Sequence, residues 1–523
     1  MSKSKSINFA KKIHSRFIIR LIFSYLNEKK ELEIVKYNKE LKTKLDIGIY
    51  KYIFYQIYSK SKLIDSKDKI IIDFNDNKNQ NSLYNLIDKK IKNMKRKQQI
   101  LTNFFNDIFK RNPDIYINYF TNNDSYSLNQ FKFLISFNPI IKIILQIDLS
   151  CFILENRNDK DYKTKIQILQ IIDKKDIIFG IDFGLNSPPK EERSFQNNIL
   201  NIINNAIKKV KYIKLPCKLI IDLINKQYLS FFENNFLKFE IYIDNINYFS
   251  FFLSIFIEII QFYLETEELI IKNGNLYYDL YNFRKANLNI SEIKSLKKLV
   301  LYNLGCQFEF ESETTKRLFL LDVSNVSVHY SSKLVKFSNL NTLIIKDTCL
   351  GEILNIKKID FKSFSNLECL IIDIHCLSCL IILNELIKYS LNLIEFDISY
   401  AFEEKYANRE LIEEEIDEYN LNLNSCDDNE EESEDDETNI FKKYKLILKK
   451  MQLQLFDNLI KLENIKILRI NDFESDSVFT SGLLDEYENE NLVEFQSNCI
   501  SLSNAKNFIE NHPYIKTFEF SGS

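Results

Sequence analysis

Three stretches of the chain can be written one beneath another without a gap. They are Leu318-x-x-Leu321-x-Val323-x-x-Val326-x-Val328, Leu340-x-x-Leu343-x-Ile345-x-x-Thr348-x-Leu350 and Leu367-x-x-Leu370-x-Ile372-x-x-His375-x-Leu377. Each is apolar at its first, fourth, sixth and last positions, and Leu296-x-x-Leu299-x-Leu301 precedes them in the same register. Apolar residues two apart mark a strand with one buried face. A short strand cannot bury that face alone, so units of this kind need stacked neighbours.

The pattern resembles the leucine-rich repeat, in which each unit adds one short strand to a curved parallel sheet. The resemblance implies an α/β fold: an irregular leucine-rich-repeat solenoid, helices on its convex side, with an α-helical N-terminal segment. From about residue 144 the register runs to the end, with units starting near Ile144, Ile178, Pro216, Lys238, Thr266, Leu296, Leu318, Leu340, Leu367, Leu393, Ile465, Leu492 and Ile515. The inward pairs at positions four and six are Ile147 and Leu149, Ile181 and Phe183, Leu219 and Ile221, Ile241 and Ile243, and so on to Phe518 and Phe520, with Ser497 as the polar exception. Helix-like stretches at Arg193–Val210, Tyr248–Leu264, Leu380–Ser390 and Ser503–Asn511 fall between strands. The family usually places an asparagine ladder at the ninth position; here only Asn186 supplies it. The abundance of Asn, Ile and Lys reads as the product of an AT-rich genome, so asparagine-rich loops carry little weight.

Charge is unevenly spread. Between Glu403 and Glu437 there are 17 acidic residues against Lys405 and Arg409, so a chain of net −3 holds one segment of −15 on a body of +12. Residues 403–445 break the repeat register and are expected to form a disordered insert. Within it, Ser433, three before Asp436, resembles a site for acid-directed kinases, although a solubilising loop explains the segment as well. The nine cysteines are scattered, and Arg20 interrupts the apolar run Phe17-Ile18-Ile19, so no secretory signal forms. Reduced thiols and a cytoplasmic or nuclear location are expected. The polar stripe Ser250, Ser254, Glu258 and Gln261 within Tyr248–Leu264 argues against a membrane span.

Three domains are expected: residues 1–60, a transition at 61–143 that includes a strand at Ile70-Ile71-Ile72-Asp73-Phe74, and repeats at 144–523 interrupted by 403–445. The segment Ile13-His14-Ser15-Arg16-Phe17-Ile18-Ile19-Arg20-Leu21-Ile22-Phe23-Ser24-Tyr25-Leu26 resembles the first half of an F-box, though the family's leading Leu-Pro pair is absent. The resemblance implies that Phe17, Ile22, Phe23, Leu26, Leu32 and Val35 form or support a surface for the adaptor subunit of a cullin-type ubiquitin ligase. Equally, residues 13–47 suit a helical cap over the first repeat. The lack of acidic residues from Lys3 to Arg20 also fits a mitochondrial transit peptide. The basic run from Lys89 to Lys97 suits a solvated helix face better than a nucleic-acid contact.

Chemistry has little support in the motifs. Cys369, His375, Cys376 and Cys379 invite a zinc reading, but the register places them on diverging positions. Glycine is too scarce for a phosphate-cradling loop. No cofactor, no metal and no enzyme activity are expected. Surface remains. In the fifth-position row Tyr242, Ile270, Val300, Ile344 and Ile371 make the centre apolar, which marks a protein-binding patch on the concave face. The expected function is non-enzymatic protein interaction, as a substrate-recognition subunit of a cullin-type ligase where the F-box resemblance applies. The alternatives are a plain scaffold and, less favoured, association with nucleic acid through the basic body.

Overall fold

The computed structural model describes residues 70–73, 115–120, 128, 131, 132, 135, 143–146, 160–174, 180–183, 197–208, 210–225, 227, 228, 236–243, 265–273, 287–290, 293–304, 307–330, 334–346, 350–355, 357–400, 436–472, 487, 489–497 and 502–520. Residues 13–47, the run Lys89–Lys97, the stretch Tyr248–Leu264 and Ser433 lie outside them. The chain divides into two compact units, Met1–Leu215 with Asp222–Tyr228, and Pro216–Ile221 with Leu229–Ser523. Mixed α/β structure built on parallel strands characterises both.

In the first unit, β1 (Ile70–Asp73), β2 (Ile115–Phe120), β3 (Ile143–Gln146), β4 (Gly180–Asp182) and β5 (Tyr212–Pro216) pair in chain order, all parallel. Of the strand expected at residues 70–74, Ile70–Asp73 is present and Phe74 lies outside the described residues, whereas β2 carries no repeat signature. Helix α1 (Lys160–Lys174) joins β3 to β4, and α2 (Asn197–Ile207) joins β4 to β5. Apolar residues three and four apart define the buried side of α2: Ile199, Leu200, Ile203, Ala206 and Ile207.

Two registers differ from expectation here. The buried pair of β3 is Ile143 and Leu145, not Ile147 and Leu149, and Leu145 aligns with Ile181. Leu219, Ile220 and Ile221 belong to no strand; they lie in α3 (Cys217–Asn225), and the strand ends at Pro216 with Ile213 and Leu215 as its buried pair. The contiguous run Leu219-Ile220-Ile221 suits either structure by composition. Its continuation to Leu223 gives helical spacing, while Ile213-x-Leu215 alternates as a strand should.

In the second unit a long parallel sheet contains β6 (Phe236–Ile243), β7 (Thr266–Asn273), β9 (Lys298–Tyr302), β11 (Leu320–Ser324), β13 (Thr342–Lys346), β14 (Cys369–Ile374), β15 (Glu395–Tyr400), β16 (Ile467–Asp472), β17 (Glu494–Ser497) and β18 (Thr517–Phe520), paired in that order. One buried column runs Phe239, Leu269, Leu299, Leu321, Leu343, Leu370, Phe396, Leu468 and Phe495, each fully buried. The next runs Ile241, Ile271, Leu301, Val323, Ile345, Ile372, Ile398 and Ile470 to Ser497. Full burial of one such side chain contributes about 1.5–3 kcal/mol, so these columns dominate the cohesion of the unit. A second, three-stranded parallel sheet forms from β8 (Asn287–Asn289), β10 (Gln307–Phe310) and β12 (Ser327–Tyr330). Thus the connections after β7, β9 and β11 carry strands where helices were the general expectation. Phe308, Phe310, Val328 and Tyr330 are buried there, and Tyr330 donates through its hydroxyl to the carbonyl of Ile353.

Helical segments among the described residues of this unit are α4 (Ser312–Arg317), which follows β10 in the same connection, α5 (Leu350–Ile353), a 3-10 turn at Phe361–Asn366, α6 (Leu377–Tyr389), α7 (Asp436–Ile460) and α8 (Leu502–Asn511). The helix α7 starts inside the segment expected to be disordered to residue 445, so its last ten residues are helical; residues 403–435 lie outside the described set.

An asparagine ladder is present, at the opposite end of the strands from the ninth position. Immediately before the first leucine or isoleucine of five repeats stands an asparagine whose side-chain amide donates to a backbone carbonyl of the preceding repeat. Asn339 reaches Lys316 at 2.7 Å, Asn366 reaches Ser338 at 2.7 Å, Asn392 reaches Ser365 at 2.7 Å, Asn464 reaches Leu391 at 3.2 Å and Asn491 reaches Glu463 at 2.9 Å. Past the strands, Asn303 and Asn325 adopt left-handed φ of 53° and 50°, a region asparagine tolerates better than most residues. Buried Asn273 donates to the carbonyl of Asn303 at 3.0 Å.

Candidate functional site

Alternation along each strand leaves one sheet face opposite the buried columns. Its central row in the second unit is Glu240, Ile270, Val300, Asp322, Ile344, Ile371, Asp397, Arg469, Gln496 and Glu519, each paired with the next. Tyr242 does not belong to it. The β6 register is shifted by two residues from expectation, so Tyr242 aligns with Lys272 and Tyr302 in the adjoining row, and Glu240 takes its place beside Ile270. Alternation alone does not distinguish shifts of two, because both leave the same side chains inward.

The apolar members differ in exposure. Ile270 is 5 % and Val300 9 % exposed, which leaves a partner almost nothing to touch, whereas Ile344 and Ile371 are half-buried neighbours on β13 and β14. Polar clusters flank this pair. On the β11 side, the Tyr302 hydroxyl donates to Asp322 at 2.9 and 3.1 Å, and Lys272 Nζ lies 5.3 Å from the Tyr302 ring centroid. Further along, Lys238 Nζ sits 3.2 Å from Glu268 and 3.8 Å from Glu240.

On the β15 side, Arg469 gathers three carboxylates. Its guanidinium lies 2.9 Å from Glu395, 2.7 Å from Glu494 and 3.6 Å from Asp397. Burial opposes the charged form of Arg469, but the hydrogen bonds to Glu494 and Glu395 outweigh it and hold the group above its ordinary value. Asp397 is raised, chiefly by burial and also by the nearby Glu395, against the opposing pull of Arg469 and Lys346. Arg469 and the nearby Lys346 against three carboxylates leave this cluster at formal −1, suited to a further positive group. Sequence reasoning missed it because only the fifth position was written as a row. The third position, read the same way, places Cys369, Glu395, Ile467 and Glu494 side by side.

At the rim where β9, β11 and β13 begin lies an open cavity of about 510 Å³, lined by Lys294, Ser295, Leu296, Lys297, Lys298, Arg317, Phe319 and Asn339. Phe319 is 43 % exposed there. This basic and aromatic combination was not anticipated, since its members come from three repeats.

The four residues weighed as zinc ligands do not assemble a site. Cys369 Sγ lies 3.6 Å from Glu395 on the open face, while Cys376 and Cys379 are buried with their sulfurs 3.2 Å apart. Among the described residues no group of three or more His, Cys, Asp and Glu is placed to hold a metal, and no helix is long and apolar enough to cross a membrane. No protein-family model matches the chain, and no curated protein sequence matches it.

Proposed function

We propose that this chain is a protein-interaction subunit without chemistry of its own, built as an irregular leucine-rich-repeat-like solenoid that selects a partner on its open sheet face. The observation that supports the reading is the half-buried pair Ile344 and Ile371, flanked by Asp322 on one side and the Asp397–Arg469–Glu395–Glu494 cluster on the other. A small apolar centre with charged surroundings is the anatomy of an interaction patch. The surplus negative charge favours a partner segment carrying lysine or arginine. In this reading residues 13–47, through Phe17, Ile22, Phe23, Leu26, Leu32 and Val35, dock the adaptor of a cullin-type ligase, and the sheet face chooses the ligase substrate.

The test is affinity capture with the full-length chain, quantified by mass spectrometry, beside Ile344→Asp/Ile371→Asp and Phe23→Asp/Leu26→Asp versions whose fold is verified by circular dichroism. The first version is expected to lose substrates while keeping the adaptor, and the second the reverse. Identical capture by all three proteins refutes the proposal. Loss confined to the first supports a scaffold with no ligase role. A second reading, polyanion binding, draws on the basic cavity around Phe319. Affinity for a single-stranded oligonucleotide that falls steeply with salt and is weakened by Lys294→Glu/Lys297→Glu supports it.

A further inference from the structure

Cys376-Leu377-Ser378-Cys379 has the spacing of a dithiol motif, and the fold gives it the matching setting. The parallel strands β14 and β15 are joined through α6, and the motif opens that helix. A Cys-x-x-Cys sequence at such a strand–helix–strand junction is a recurrent redox arrangement. Cys376 is the N-cap, with extended backbone at φ −154° and ψ 170°, and Cys379 follows in the first turn. The three-residue separation brings both side chains to the same side of the helix end. The sulfurs lie 3.2 Å apart, within hydrogen-bonding distance and with no disulfide between them. Closing to a disulfide at about 2.05 Å requires a shift on the order of 1 Å. Cys376 can supply it because an N-cap stands outside the hydrogen-bonded helix.

The helix start favours the thiolate that such chemistry needs. The unsatisfied amides of the first turn give the helix start a partial positive charge, which lowers the cost of ionising a thiol there. Ser378 Oγ lies 2.9 Å from Cys376 Sγ, and the backbone amide of Leu350 donates to Cys379 Sγ at 3.2 Å. That last bond ties the start of α5 to the dithiol, so a change at Cys379 is felt at Leu350. Burial works in the other direction: Cys376 is 4 % and Cys379 0 % exposed, which raises the cost of the charged thiolate and slows any external oxidant.

We propose that Cys376 and Cys379 are a reversible redox pair, oxidised by small-molecule disulfides such as glutathione disulfide. The Cys376 thiolate attacks one sulfur of the oxidant, forming a mixed disulfide and releasing one thiolate, which takes up the proton Cys376 gave to solvent. The Cys379 thiolate then attacks Cys376 Sγ, the intramolecular S–S bond forms, and the second small thiolate leaves and is protonated. Two cysteine thiols are oxidised by two electrons, and one disulfide is reduced to two thiols.

The experiment incubates the folded full-length chain in glutathione buffers of graded ratio, quenches with acid, alkylates remaining thiols and maps them by peptide mass spectrometry. The expected product is a Cys376–Cys379 disulfide, seen as a 2 Da loss (two hydrogens) in the peptide holding both. Dithiothreitol should reverse it, while Cys217 and Cys369 stay alkylatable. In Cys379→Ser the oxidant should remain trapped on Cys376 as a mixed disulfide. Amide hydrogen exchange at Leu350 should quicken on oxidation of the wild type. Formation of the bond only after urea has unfolded the chain overturns the proposal, because burial then shields the pair. Preferential oxidation of Cys217 or Cys369 also overturns it.

Discussion

Replacing Asn366, Asn392 and Asn464 together by alanine removes three rungs of the ladder that links successive repeats. Each donates a side-chain N–H to a neighbouring carbonyl, at 2.7, 2.7 and 3.2 Å. A net hydrogen bond contributes about 0.5–1.5 kcal/mol, and water can partly replace these exposed ones, so the triple loss is about 2–3 kcal/mol. Neighbouring rungs share repeats, so their effects need not add strictly. The chain has no tryptophan, so urea unfolding is best followed by far-UV circular dichroism. Asn366→Asp discriminates further. It keeps the shape but turns an oxygen toward the Ser338 carbonyl, so it should cost more than Asn366→Ala. Asn511→Ala, at the exposed end of α8, is the control and should cost within about 0.5 kcal/mol, as ordinary surface changes do. A triple variant as stable as that control, or an aspartate better tolerated than alanine, would refute a structural ladder.

Gly180→Ala should destabilise the first unit. A Cβ at Gly180 would stand 2.7 Å from Tyr212 Cδ1, 2.9 Å from Tyr212 Cβ and 3.0 Å from the Tyr212 carbonyl, on directly paired strands. Overpacking of this kind costs about 1–3 kcal/mol, only partly offset by a stiffer unfolded chain; an unchanged urea midpoint would contradict the close approach. Asp397→Asn should stabilise the protein at neutral pH. The folded carboxyl is raised above its ordinary 3.8, so the fold prefers the protonated form, and ionisation costs stability as pH rises through the folded value. The advantage of the amide should be full at neutral pH and shrink as pH falls toward 3.8, read as converging urea midpoints; a variant less stable than wild type at neutral pH would show that the 3.6 Å contact with Arg469 outweighs burial.

The long sheet of the second unit was legible because its code is redundant. From Leu269 to Phe495 the fourth-position residue of every unit occupies the buried column expected of it, and Leu296, Leu318, Leu340, Leu367, Leu393, Ile465 and Leu492 at the first position are fully buried. Where redundancy fails, so did the register. Around Ile143 and Phe239 the apolar alternation extends beyond one strand, so a two-residue shift leaves the pattern intact, and only backbone pairing decides it. At Leu219–Ile221 a short apolar run served two secondary structures equally. The ladder was missed for another reason. Against a background rich in asparagine, the five before Leu340, Leu367, Leu393, Ile465 and Leu492 looked compositional, although their fixed position one residue ahead of the repeat was a signal. The Arg469 cluster and the basic cavity draw on separate repeats and emerge only when the repeats are aligned side by side.

The same geometry explains how the sheet tolerates its largest interruption. From Leu393 to Ile465 the chain runs 72 residues where the preceding unit, Leu367 to Leu393, takes 26, yet β15 and β16 pair in full register and Asn464 still reaches Leu391. Loop-closure entropy grows only with the logarithm of length, so the longer connection costs about 0.9 kcal/mol more than the shorter. The helix α7 offsets that cost within the same connection. Leu455, Phe456 and Leu459 are buried, each contributing about 1.5–3 kcal/mol. Polar groups bind α7 to α6 as well: buried Asn384 donates to the carbonyl of Met451 at 3.0 Å and accepts from Asn458 at 3.1 Å. Removing α7 would therefore cost apolar burial and leave the Asn384 side chain without these two partners. The interruption is an enlarged connection between two paired parallel strands, and its returning half, α7, packs on α6 while the strand register on either side stays continuous.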